Sequence, residues 1–115
     1  MNSPKIKLQR LQQLVGTQDE QWRPFIQDFA QELTQMQTQL VKAQTNNNWP
    51  KLTHLLHQLK SNLHLFGCLD SYQAAQDLEA FAQLEQPKMS LFQDSFQSFL
   101  KELKAIEKEA LNWPK

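Results

Sequence analysis

The sequence predicts an all-helical protein, an antiparallel up-down-up-down four-helix bundle with a short N-terminal extra helix. Only two glycines occur among 115 residues, whereas helix-forming residues, glutamine above all, are abundant. Apolar residues recur at steps of three and four along four long segments, which is the spacing of one helix face. The connections between these segments are short, and helices joined by short connections pack as antiparallel neighbours.

The first predicted element is a short helix within residues 1–16, which we expect to lie on the bundle formed by residues 17–115. Ser3 and Pro4 are typical of an N-cap followed by proline at the first helical position. Gly16 is a natural stop for this helix, because glycine readily adopts the backbone conformation that ends a helix.

The second predicted element is a long amphipathic helix. Its start lies in TQDE, where Thr17 as N-cap and Glu20 three residues later match a capping box. Pro24 falls within the first turns, where proline is least damaging. The helix should end at TNNNWP, because asparagine clusters and the residue before a proline disfavour helix. Its apolar residues at helical spacing are Trp22, Phe25, Ile26, Phe29, Leu33, Met36, Leu40 and Val41.

The third predicted element spans about residues 50–66 and carries an apolar stripe that should face the core. Gly67 ends this helix as a structural turn, and Asp70 or Ser71 is expected to cap the fourth element. The residues of the stripe are Leu52, Leu55, Leu56, Leu59, Leu63 and Phe66.

The fourth and fifth predicted elements show the same helical period. The fourth ends near LEQPK, and the fifth begins near Ser90, which has Gln93 in capping-box register. Their apolar residues are Ala74, Leu78, Phe81 and Ala82, then Phe92, Phe96, Phe99, Leu100, Leu103, Ile106, Ala110 and Leu111. Because all four long segments agree in period and carry sensible caps, they predict one bundle.

Composition excludes several classes of function. Twelve basic and twelve acidic residues balance, so charge gives no basis for binding nucleic acid or an anionic membrane. Cys68 is the only cysteine, which rules out an internal disulfide and a multi-thiolate metal site. Two glycines cannot form a phosphate-binding loop. The polar N-terminus and the lack of a run of roughly 20 apolar residues predict a soluble, cytoplasmic protein.

All three histidines lie within eleven residues of the third predicted helix. At about 100° per residue, His57 points roughly 150° away from the leucine stripe. His54, Ser61 and His64 fall within about 60° of His57, and Lys60 lies on its other flank at a similar angle. We therefore expect these polar side chains to share an exposed face.

The histidine spacing disfavours a metal site. Two imidazoles reach one zinc ion best at positions i and i+4, whereas His57 lies three residues after His54 and seven before His64. The helix carries no carboxylate to complete the ligand set, and Lys60 would repel a cation. The other interpretation from the residues alone is a set of exposed histidines without a role.

The residues around His57 resemble the signature of histidine-containing phosphotransfer (HPt) domains of bacterial and eukaryotic phosphorelays. In that signature, a histidine at position i is followed by an apolar residue at i+2, lysine at i+3, a small residue at i+4 and glycine at i+10. The matching residues here are His57, Leu59, Lys60, Ser61 and Gly67. Leu78 and Glu79 in AAQDLEAF resemble the pattern of the family's next helix, and the resemblance covers about residues 20–110.

This resemblance implies a phosphoryl carrier with His57 as the phospho-acceptor. A neutral imidazole is a competent nucleophile near pH 7, because the ordinary pKa of histidine is about 6.5. Lys60 would offset the charge of the phosphoryl group, and the small Ser61 would keep the approach open for in-line transfer. The residues expected to contact the partner are Gln58, Ser61, His64 and Leu65.

The resemblance also implies the partners, namely response-regulator receiver domains and a hybrid sensor histidine kinase. The receiver would supply an acidic pocket and Mg²⁺. The chain itself would need no cofactor or metal and would have no kinase or phosphatase activity. We expect a monomer, because a carrier engages its partners transiently.

Three departures from the family pattern keep a second hypothesis open. Ser61 replaces the usual glycine, and the bulky His64 stands where the family prefers a small side chain. His54, one turn before His57, is also unusual, although it is not disruptive. The alternative is a non-catalytic helical adaptor, a degenerate relative that binds a protein partner. This alternative is favoured if His57 is buried or if His64 covers it.

Overall fold

The computed structural model describes residues 4–113, and within them the chain forms five α-helices and no strand. The predicted all-helical class is confirmed. The helices are α1 (Gln9–Val15), α2 (Asp19–Thr45), α3 (Trp49–Leu65), α4 (Leu69–Ala82) and α5 (Met89–Leu111). None of them combines the length and the apolar character needed to cross a membrane.

The four long helices enclose the hydrophobic core, and α1 lies on α2. Helix α2 contacts α3 and α5, α3 contacts α4, and α4 contacts α5. The leucines of α3, none more than 1% exposed, are Leu52, Leu55, Leu56, Leu59 and Leu63. Burying one leucine contributes about 1.5–3 kcal/mol, so this stripe fixes the rotation of α3 about its own axis.

Helix α1 starts later than predicted, at Gln9 rather than at Pro4, and Ser3 lies outside the described residues. Distant partners hold the preceding backbone in place of a helical turn. The bonds run from the Lys7 N–H to the Phe66 carbonyl (2.8 Å) and from the Lys5 and Ile6 N–H groups to the Glu109 carboxylate (2.9 and 3.1 Å). These bonds satisfy the backbone donors of a segment that is not helical.

The capping residue of α2 lies one position later than predicted. Gln18 is the N-cap instead of Thr17, and its N–H donates to the side-chain oxygen of Gln21 at 3.0 Å. This bond is the half of a capping box in which the residue at position N3 reaches back to the cap. Gln21 therefore takes the place predicted for Glu20.

Two apolar residues predicted on the core face of α2 lie outside the core. Phe25 and Val41 are each 44% exposed, whereas their neighbours Ile26 and Leu40 are at most 1% exposed. Successive residues of a helix point about 100° apart, so only one member of each pair can face the core.

Helices α4 and α5 begin before their predicted caps, which are Asp70 or Ser71 and Ser90. The N-cap positions are Cys68 and Lys88, and neither has a side-chain capping bond. Their carbonyls accept the first helical bonds, from the N–H groups of Tyr72 (2.9 Å) and Phe92 (3.2 Å). Ser71 is buried at 3% exposure, because it lies on the inner face of α4 rather than at its end.

The turn between α3 and α4 contains Gly67. Its φ of +72° is unfavourable for residues with a side chain. The N–H groups of Gly67 and Cys68 bond the carbonyls of His64 (3.1 Å) and Leu63 (2.8 Å), the pattern of a Schellman motif. A Cβ at position 67 would lie 2.6 Å from the Cβ and 2.8 Å from the carbonyl oxygen of Lys7.

We predict that Gly67→Ala lowers the free energy of unfolding by about 2–4 kcal/mol, because it adds both backbone strain and a steric clash. Urea unfolding followed by circular dichroism measures this change. Adding Lys7→Gly removes the clash with the Lys7 Cβ and should restore part of the loss. If the free energy of unfolding of Gly67→Ala lies within about 0.5 kcal/mol of the wild-type value, this account of the turn is contradicted.

Candidate functional site

His57 projects from the outer face of α3. Its side chain is 70% exposed, while the leucines on the opposite side of the helix are buried. This orientation agrees with the angle given by the helical period. The imidazole is therefore accessible to another protein.

Glu79 of α4 lies beneath His57 and holds one of its ring nitrogens. The Glu79 side chain is only 11% exposed, and its Oε2 lies 2.9 Å from Nδ1 of His57. Its other oxygen, Oε1, lies 2.8 Å from the Lys60 ammonium. One carboxylate thus connects the histidine and the lysine of α3.

The charge state of Glu79 determines the role of each ring nitrogen of His57. Burial raises the pKa of Glu79, but hydrogen bonds from Lys60 and His57 outweigh burial, so the pKa lies below its usual range. An ionised carboxylate only accepts hydrogen bonds. Nδ1 must therefore donate its proton to Glu79, and in the neutral ring Nε2 keeps its lone pair.

Lys60 does not extend into solvent. Its side chain is 19% exposed, and its ammonium group contacts Glu79. The sequence places Lys60 beside His57, and the structure adds that both contact the same acidic group. An ammonium has three donors, so Lys60 can bind Glu79 and still donate to a second acceptor.

The other predicted site residues differ in exposure. Gln58 and Ser61 are exposed, as is His54. His64 is half-buried, and its ring lies edge-on to Tyr72 of α4, with 5.2 Å between the ring centroids. Leu65, which is expected to contact the partner, is half-buried and packs against the core. Only part of Leu65 is available to a partner.

Two other kinds of candidate site are a metal-binding cluster and a reactive thiol. Among residues 4–113, no three side chains of the metal-binding types lie close enough to hold an ion. The Cys68 thiol is buried, and burial raises its pKa to about 12. A thiol with this pKa stays protonated at neutral pH and is a poor nucleophile.

Glu79 is a member of the candidate site that the sequence alone does not predict. It is visible in the sequence only as part of the Leu78-Glu79 resemblance, without a role. Its position beneath His57 depends on how α4 lies against α3, and the two residues are 22 positions apart. The period of a single helix carries no information about such a contact.

Comparison with known proteins gives one match. A family model described as Hpt domain matches residues 20–109. No curated protein and no solved structure matches the chain. The matched range begins in α2, ends in α5 and includes His57, Lys60 and Glu79; α1 lies before it.

We predict that Glu79 sets the tautomer of His57. At about pH 8.5, well above the ordinary pKa of histidine, ¹⁵N chemical shifts should show the proton on Nδ1 in wild type. Glu79→Ala removes the acceptor and should shift the proton toward Nε2, the tautomer favoured by free histidine. Glu79→Gln is the matched control, because its amide oxygen can still accept the Nδ1 proton. A wild-type ring protonated on Nε2 would contradict the geometry.

Glu79 should also make folding stability depend on pH. Because its folded-state pKa is lowered, its contribution is complete above the unfolded-state pKa of about 4.3 and is lost as pH falls through the folded-state value. Wild type should therefore be more stable than Glu79→Gln at pH 7, and the difference should shrink by about pH 3. Urea unfolding at both pH values measures it. If wild type and Glu79→Gln differ in free energy of unfolding by the same amount at both pH values, the lowered pKa of Glu79 is contradicted.

Proposed function

We propose, from the premise that the chain belongs to the Hpt domain family, that it is a histidine phosphotransfer protein of a two-component phosphorelay. In this proposal His57 accepts a phosphoryl group from the aspartate of one receiver domain and donates it to another. The observation that carries the proposal is the exposed His57 ring with Nδ1 bound to a buried carboxylate. This arrangement supplies a nucleophile at a fixed position, which is what phosphoryl transfer requires of the acceptor.

In the proposed step, Nε2 of His57 attacks the phosphorus of the aspartyl phosphate in line. The N–P bond forms as the P–O bond to the aspartate breaks, and the aspartate leaves as a carboxylate. The proton on Nδ1 stays on the ring, so the phosphorylated ring is positively charged. The Glu79 carboxylate, 2.9 Å from Nδ1, stabilises this charge, and donation to a second receiver is the reverse step.

Lys60 and Ser61 would support the phosphoryl group from the next turn of α3. Phosphorylation adds nearly two negative charges, and the Lys60 ammonium has donors left after its contact with Glu79. Ser61 is small and exposed, so a receiver backbone could approach. The residues we propose as partner contacts are Gln58, Ser61, His64 and the exposed part of Leu65.

The chain would act only as a carrier. We propose no kinase or phosphatase activity and no cofactor of its own, since Mg²⁺ would be bound by the acidic pocket of the receiver. The partners would be receiver domains and a hybrid sensor histidine kinase in the cytoplasm. A monomer suits this role, because transient encounters use small interfaces.

We propose that the bundle of residues 17–115 is antiparallel, with residues 1–16 as an appendage. The connections between the long helices contain only three, three and six residues, which favours reversal of direction. Contacts between α3 and α4 support this order. His57 contacts Glu79, whereas His64, seven residues later, contacts Tyr72, seven residues earlier.

The alternative function, a non-catalytic adaptor, has less support. It is favoured by a His57 ring that is buried or covered by His64. His57 is 70% exposed, and the His64 ring packs against Tyr72 instead. Both observations favour the carrier.

We predict that His57→Gln abolishes phosphorylation, because glutamine has no nucleophilic ring nitrogen. The measurement is transfer of ³²P from a phosphorylated receiver domain, followed as acid-labile label on this protein. His54→Gln is the matched control, since His54 is also an exposed histidine of α3, and it should label like wild type. If His57→Gln labels as well as wild type, the proposed function is wrong.

A further inference from the structure

A second contact between α3 and α4 lies two helical turns from His57. The rings of His64 and Tyr72 meet edge-on, with centroids 5.2 Å apart and planes inclined by 63°. Both residues are half-buried. His64 follows His57 by seven residues and Tyr72 precedes Glu79 by seven, so the two contacts lie along the same seam between the helices.

The polar atoms of this second pair are not used inside the protein. The side-chain hydrogen bonds among residues 4–113 include the one between His57 and Glu79 but none made by the His64 imidazole or the Tyr72 hydroxyl. An imidazole N–H and a phenol O–H are both donors. Packing holds the two rings in place, and their donors remain available to a partner.

The His64–Tyr72 pair lies close enough to His57 to be contacted by any protein that docks there. Seven residues of helix span about 10.5 Å. A transient interface that buries less than about 1,200 Å² in total covers about 600 Å² per partner, which corresponds to a disc of roughly 14 Å radius. A receiver centred on His57 would therefore cover His64 and Tyr72.

The five side chains that meet across this seam carry no net formal charge. Lys60 and Glu79 are the only formally charged members of the five side chains that meet across it, with histidine counted as neutral, and they pair with each other at 2.8 Å. The chain as a whole has a formal net charge of zero. Among these five side chains, the means of discriminating between partners are therefore short-range hydrogen bonds and packing.

We propose, resting on the function proposed above, that His64 and Tyr72 select which receiver domain exchanges phosphate with His57. The favoured receiver places a hydrogen-bond acceptor, a carboxylate or a backbone carbonyl, about 10 Å from its phosphorylated aspartate, where it meets these two donors. Tyrosine is one of the residue types enriched among those that contribute most of the binding energy of an interface. The pair would thus add selectivity without taking part in the transfer step.

The test uses His64→Phe and Tyr72→Phe, which keep the ring packing and remove the polar atoms. Transfer from a panel of phosphorylated receiver domains is followed by rapid quench, and kcat/KM is compared for each receiver. For the fastest receiver, each variant should lower kcat/KM between about threefold and tenfold, while the slower receivers change less. Lys101→Ala, an exposed change on α5, should leave all rates unchanged.

Phosphorylation by phosphoramidate, a small donor that needs no docking surface, separates this inference from the proposed function. Both variants should label on His57 at the wild-type rate, because the acceptor and Glu79 are intact. If the two variants keep the wild-type kcat/KM with every receiver, or if kcat/KM falls by the same factor with every receiver, His64 and Tyr72 do not select the receiver. Either result would leave the carrier function in place. Failure of wild-type His57 to label with phosphoramidate would overturn the carrier function, and this inference with it.

Discussion

The structure around His57 depends on one buried carboxylate that serves two partners. A carboxylate that is 11% exposed loses much of its hydration, and it stays ionised only if donors replace the water. The His57 ring donates to Oε2, and the Lys60 ammonium lies 2.8 Å from Oε1, where it balances the negative charge. Glu79 therefore holds the His57 ring through Nδ1 and the Lys60 ammonium one helical turn away. Glu79 leaves Nε2 free, and Nε2 is the nitrogen that we propose as the acceptor of the phosphoryl group.

This arrangement requires α3 and α4 to keep a fixed rotation and a fixed register. The leucine stripe sets the rotation of α3, because any turn about the axis would expose leucines that are now buried. The Gly67 turn sets the register, since it joins the helices within three residues and lies against the backbone of Lys7. Residues far from the site thus determine where Glu79 meets His57. The resulting surface presents the exposed His57 ring beside the Lys60–Glu79 ion pair, which suits the proposed carrier.

Much of this could be predicted from the sequence, because it depends on local periodicity. The outward direction of His57, the buried leucines and the stop at Gly67 all follow from one helix and its end. The features that could not be predicted from the sequence depend on contacts between segments that are distant along the chain. Helix α1 starts at Gln9 because the preceding backbone bonds to Phe66 and Glu109, and the Lys60 ammonium turns toward Glu79 because α4 lies beside it. The spacing of residues along α3 could not predict either contact.

The site of phosphate attachment on the ring tests the central claim most directly. Phosphohistidine carries phosphate on either Nδ1 or Nε2, and long-range ¹H–¹⁵N correlation spectra of the phosphorylated, ¹⁵N-labelled protein distinguish the two. Because Glu79 occupies Nδ1 in the folded protein, phosphate should be found on Nε2 of His57. Phosphate on Nδ1 would show that the nitrogen bound by Glu79 is the reactive one and would contradict the account.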